Sequence, residues 1–177
     1  MPATYTLISS NVLTSSQASV VFSSIPATYT DLILRFSARA ATDTSPSSMG
    51  IKLNADTGNN SATYLRVIAG PSVESLRRSG TDSGNYLFDR FTDTASDETS
   101  NTFSNAEVYI PSYTVSQNKP VSLFTVNEAN VATTLYSPNI GAGLFRNTAA
   151  ISSITIMNLS GNMASGSSFY LYGISNA

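Results

Sequence analysis

The chain contains no cysteine, no histidine and no tryptophan. Without cysteine there is no disulfide frame, no thiolate nucleophile and no cysteine-liganded zinc or iron–sulfur site. Without histidine there is no Ser-His-Asp triad, no HExxH zinc site and no histidine-held haem. Charge is scarce as well: 11% of residues are charged, against about 25% in an average soluble domain. The net charge of -2 and a pI of about 4.9 do not attract nucleic acid. Apolar runs are only a few residues long, far short of the roughly 20 that span a bilayer, so no membrane partner is expected. The opening MPATYTLISS has neither a basic nor an apolar region of the secretory kind, and no such signal is expected.

A chain of 177 residues suits one domain, residues 1–177, able to bury a core without staples. Its polarity comes from 30 Ser, 20 Thr and 15 Asn, which favour turns and exposed strand faces over helix surfaces. Helical periodicity is nearly absent; the one ambiguous stretch, Ser61 to Ile68, reads equally as a strand because Tyr64, Val67 and Ile68 favour one. Alternation of period two recurs instead. Leu32, Leu34 and Phe36 point one way, with Ile33, Arg35 and Ser37 the other. Val121, Leu123 and Thr125 oppose Ser122, Phe124 and Val126. Ile51 and Leu53 flank Lys52, and Val108 and Ile110 flank Tyr109. Ile154, Ile156, Phe169 and Leu171 complete the expected core, while Ile140 to Phe145 is a strand broken by glycine. About nine or ten short strands separated by Gly, Asn, Asp and Pro turns predict an all-β, antiparallel β-sandwich.

One central stretch, about Gly80 to Asn105, reads least like strand and is expected to be a long surface excursion that the sandwich does not need. Asp82, Asp89, Asp93, Asp97 and Glu98 concentrate there, with Arg77, Arg78 and Arg90 beside them. Such acids are open to three readings: a solvated loop, a calcium site or a carboxylate pair that cleaves a glycosidic bond. The spacing favours the first, since no EF-hand pattern occurs. No catalytic residue, metal ligand or cofactor site is expected, and the chain is not read as an enzyme. Arginine outnumbers lysine seven to two, which suits protein interfaces. Arg77, Arg78, Asp82, Asp89, Arg90 and Asp93 are therefore the candidate interface residues. Tyr5, Tyr29, Tyr109, Tyr170 and Tyr172 lie in or beside strands, where packing is the usual role, though exposed tyrosines with Asn and Asp also stack on sugars.

Two blocks carry a resemblance. One is Tyr5-Thr6-Leu7-Ile8-Ser9-Ser10 with Val20-Val21-Phe22-Ser23-Ser24-Ile25-Pro26 and Tyr29-Thr30-Asp31-Leu32. The other runs from Leu144-Phe145-Arg146-Asn147 through Ile154-Thr155-Ile156 and Ser160-Gly161-Asn162 to Phe169 and Leu171-Tyr172-Gly173-Ile174. Together, over about 60 residues at the two ends, they resemble small virion structural proteins of tailed bacteriophages, especially those of cyanobacteria and other aquatic hosts. The resemblance implies a jelly-roll-like sandwich with its first and last strands close together. It implies a virion protein made in the bacterial cytoplasm. The leading function is capsid decoration (cement), with a tail or fibre component that binds host glycan as the alternative. Its partners would be other copies of itself, a trimer first of all, and the major capsid protein or other virion proteins.

Overall fold

The computed structural model describes residues 4–42, 48–56, 58, 60–68, 73–79, 86–91, 94–127 and 136–175. Within them the chain forms twelve strands: β1 (Tyr5–Val12), β2 (Ser19–Phe22), β3 (Asp31–Ser37), β4 (Met49–Leu53), β5 (Ser61–Ile68), β6 (Val73–Ser79), β7 (Phe88–Phe91), β8 (Asn105–Ile110), β9 (Lys119–Val126), β10 (Tyr136–Phe145), β11 (Ile154–Asn158) and β12 (Ser168–Ile174). The ambiguous stretch from Ser61 is thus a strand. All strand pairs are antiparallel, in two sheets: β1-β12-β3-β8-β9-β10-β5-β6 and β2-β11-β4-β7.

The order of the strands is that of a jelly roll with two additions. Without β5–β6 and β9–β10, two four-stranded sheets remain, β1-β12-β3-β8 and β2-β11-β4-β7. Each strand of one is followed or preceded in the chain by its counterpart in the other, and the first and last strands pair, Leu7 opposite Tyr172. This is the double Greek key of a jelly roll. The hairpin β5–β6 is inserted between β4 and β7, and the hairpin β9–β10 between β8 and β11. The two pair with each other through β10 and β5, which doubles the width of one sheet.

The core lies between the sheets. All twelve residues expected there, Leu32, Leu34, Phe36, Ile51, Leu53, Val108, Ile110, Leu123, Ile154, Ile156, Phe169 and Leu171, are at most 3% exposed. Phe36 and Phe169, opposite each other on β3 and β12, stack with ring centroids 5.6 Å apart. Ile8 packs against the core, and a bulge between Leu7 and Ser9 shifts the register so that Ser9 lies opposite Leu171.

The long central excursion is present between Ser79, where β6 ends, and Asn105, where β8 begins. The expectation that the sandwich does not need it is corrected. It carries β7, which pairs with β4 at the edge of the smaller sheet, and Leu87, Phe88, Thr94, Ala95, Glu98 and Ser104 are buried. Alternation failed to reveal this segment because its apolar residues number only a few in a polar stretch.

Candidate functional site: the outer face of the wide sheet

A strand alternates its side chains between faces, so the wide sheet has an outer face that the core does not cover. The register aligns that face into cross-strand rows. One row runs Leu7, Tyr172, Ile33, Tyr109, Ser122, Ala142, Thr63, Arg77 across all eight strands. The next runs Ser10, Tyr170, Arg35, Glu107, Phe124, Ile140, Leu65, Ser75.

The rows divide into two unlike halves. Of the jelly-roll strands, β1, β12 and β8 carry tyrosines, Tyr5, Tyr170, Tyr172 and Tyr109, and β3 carries Ile33 and Arg35. The Tyr109 hydroxyl donates to Asp31 Oδ2 at 2.9 Å, and the Ser112 backbone N–H donates to Asp31 Oδ1 at 2.8 Å. Partial burial, then the hydrogen bond to Asp31 and its charge, raise the Tyr109 pKa. The inserted hairpins carry aliphatic and aromatic carbon instead. Phe124, Ile140 and Leu65, adjacent in one row, are 49%, 50% and 48% exposed, and Leu144 is also exposed. At the boundary Arg35 donates from Nε and Nη2 to Glu107 Oε2, both at 2.8 Å. Arg35, Asn105, Glu107 and Phe124 line an open depression of about 440 Å³.

The remaining polar side chains are largely taken up by the fold. Arg39 donates to the backbone carbonyls of Ser96, Glu98, Thr99 and Thr102 at 2.8–3.1 Å, and so holds the stretch before β8 in place. Glu98 Oε2 accepts the Ala95 backbone N–H at 2.9 Å and the Asn127 side-chain amide at 3.2 Å, and Thr94 donates its hydroxyl to Asn127 Oδ1. Glu98 is therefore a buried structural acceptor, while Asp97 is exposed. Lys119 is fully buried; its Nζ donates to the carbonyls of Gln117 and Asn147, and loss of solvent lowers its pKa. Tyr113, also fully buried, donates its hydroxyl to the Pro26 carbonyl. Among the described residues no three acids come together as a metal-holding group.

The candidate interface residues do not form one element. Arg77 is exposed on β6, opposite Thr63 at the edge of the wide sheet, and Arg78 follows it opposite Ala62. Asp89 and Arg90 belong to β7, at the edge of the other sheet. Asp82 and Asp93 lie outside the described residues.

No family model, curated protein or solved structure matches the chain. The outer face therefore speaks only through its own side chains. Sequence reasoning passed over Phe124, Ile140 and Leu144 as a surface, yet a signal was there. In the middle of β10 the inward positions are Gly141 and Gly143, between inward Asn139 and Phe145, while Ile140 and Leu144 face out, locally the reverse of the usual small-out, large-in pattern.

Proposed function

We propose that this chain is a virion structural protein of a tailed phage, a decoration protein that stabilises the head by protein–protein contacts. The observation that carries the reading is the outer face of the wide sheet. It is broad, rich in tyrosine and aliphatic carbon, most exposed on the inserted hairpins, and among its described residues carries the Arg35–Glu107 ion pair within the jelly-roll half. Tyrosine and apolar side chains with few charges are the composition of interface centres. Arg39, Glu98 and Lys119 are engaged in structural hydrogen bonds. The resemblance of the two end blocks to phage virion proteins supplies the setting, and the jelly-roll strand order agrees with it. Cryo-electron microscopy of purified virions tests the proposal: many symmetric copies on the head support it, and none there overturns it.

A second reading, a tail or fibre component that binds host glycan, draws on the depression at Arg35, Glu107 and Phe124. An aromatic face beside a cation–carboxylate pair suits the apolar face and hydroxyls of a sugar. A few copies at the tail, with glycan binding lost on Phe124→Ala, would favour it.

A further inference from the structure

The two inserted hairpins do more than widen a sheet. At every outward position of β9, β10 and β5 whose side chain is described, no charge occurs. This uncharged surface is centred on β10. One strand to one side lies Phe124 and one strand to the other lies Leu65, both in the row of Ile140. Two strands out on one side, β8 carries Glu107; two strands out on the other, β6 carries Arg77, one row along.

We propose that this half-face is a self-association surface, covered by the same half-face of a second copy about a two-fold axis running along β10. Such an axis lays Ile140 on its own counterpart and Phe124 on Leu65 of the other copy. It also sets each Glu107, which holds Arg35 of its own copy, over the other copy's Ser75, with Arg77 one row along on the same strand. The row offset between Glu107 and Arg77 is roughly 7 Å along the strand, within reach of the two long side chains. The apolar centre is thus flanked by two symmetry-related opposite-charge pairs, the arrangement that a self-complementary interface requires. Five strands at about 4.8 Å and some seven residues at about 3.3 Å give roughly 24 by 23 Å per copy. The total is about 1,100 Å², just past the size that separates a specific interface from a chance contact. A face turned on itself closes at two copies, which leaves the tyrosine half and the β1 edge uncovered. The pairing rests on reading this face as a protein-contact surface and not on where in a virion the protein sits.

The absence of cysteine makes the test direct. Single-cysteine variants Ile140→Cys, on the axis, and Val21→Cys, 55% exposed on the smaller sheet, are treated with a short bifunctional maleimide. Ile140→Cys is expected to cross-link to a two-chain species in high yield and Val21→Cys to remain one chain. By light scattering at about 50 μM the unmodified protein should show twice the 18.7 kDa chain mass. Ile140→Lys, which sets two ammonium groups face to face, should return it to one chain with an unchanged circular dichroism melt. Arg77→Glu should weaken pairing about tenfold, more at low salt than at high. A one-chain or three-chain mass for the unmodified protein, or equal cross-linking at both cysteines, overturns the pairing. A one-chain mass would leave the face to a different protein. Head binding in the virion experiment is a separate readout, so failure of one proposal is distinguishable from failure of the other.

Discussion

The ring of Phe88 rests on the bare backbone of Gly143: a methyl built on that glycine would lie 2.9 Å from Phe88 Cζ and 3.0 Å from Leu87 Cδ1. Gly141, two residues earlier, meets the same ring, at 3.0 Å from Cε1. The contact joins β7, from the central excursion, to β10, from an inserted hairpin. It explains why β10 alternates glycine inward with Ile140 and Leu144 outward. Gly143→Ala should therefore destabilise by about 1–3 kcal/mol through overpacking. Phe88→Ala should cost about 3–5 kcal/mol through an unfilled cavity. Urea midpoints read both, and deletion of residues 80–100 should abolish the cooperative transition.

Arg39 is the second tie on the excursion. Its guanidinium serves four backbone carbonyls, of Ser96, Glu98, Thr99 and Thr102; the Thr99 carbonyl also accepts the Thr102 hydroxyl. Arg39→Met keeps the stem and removes the donors. The expected loss is about 2–3 kcal/mol, in line with hydrogen bonds from a charged donor. Hydrogen exchange should show faster amides over 95–104 than over β3.

Lys119 makes stability depend on pH. Burial lowers its folded pKa below the ordinary lysine value, so the folded state disfavours its charged form. Above the ordinary value both states are neutral and nothing is lost. As pH falls through the folded value the folded state must hold a buried cation, and stability declines. The unmodified protein should gain on Lys119→Met as pH rises toward 10. Urea midpoints of the two at pH 7, 9 and 10 check this. Tyr109 and Tyr113 have raised pKa values, so their contribution is intact below about pH 10 and is lost only as pH climbs through their folded values.

Tyr113→Phe removes the one buried hydroxyl that meets the Pro26 carbonyl. The expected cost is about 1–3 kcal/mol, the desolvation penalty of an acceptor left bare. A thermal melt with unchanged strand signal in circular dichroism measures it.

The acids of the excursion separate by burial. Asp97→Asn should move the urea midpoint very little, because an exposed charge contributes little. Glu98→Gln should destabilise clearly, since its Oε2 accepts two hydrogen bonds in the interior. Calcium that raises the melting temperature of the unmodified protein would contradict the structural reading of these acids.

Much of the fold was legible in the sequence. Alternation placed Leu34, Ile51, Leu123, Ile154 and Phe169 correctly, because a strand with one buried face writes its burial into every second residue. β7 was not legible: Leu87 and Phe88 are two adjacent apolar residues in a polar stretch, and their burial depends on glycines over fifty residues away. Lys119 also escaped, since a lysine at the start of a strand reads as solvent-facing until the carbonyls of Gln117 and Asn147 are in place.

By itself the sequence determined the class of fold and the chemistry closed to the protein. Both follow from composition and local period, which need no knowledge of neighbours. Only the tertiary structure decided which strands share a sheet, and hence that Phe124, Ile140 and Leu65 lie side by side. Those three come from β9, β10 and β5, and 59 positions of chain separate Leu65 from Phe124. Their meeting depends on hydrogen-bonded register between two hairpins, a long-range relation that no local pattern encodes.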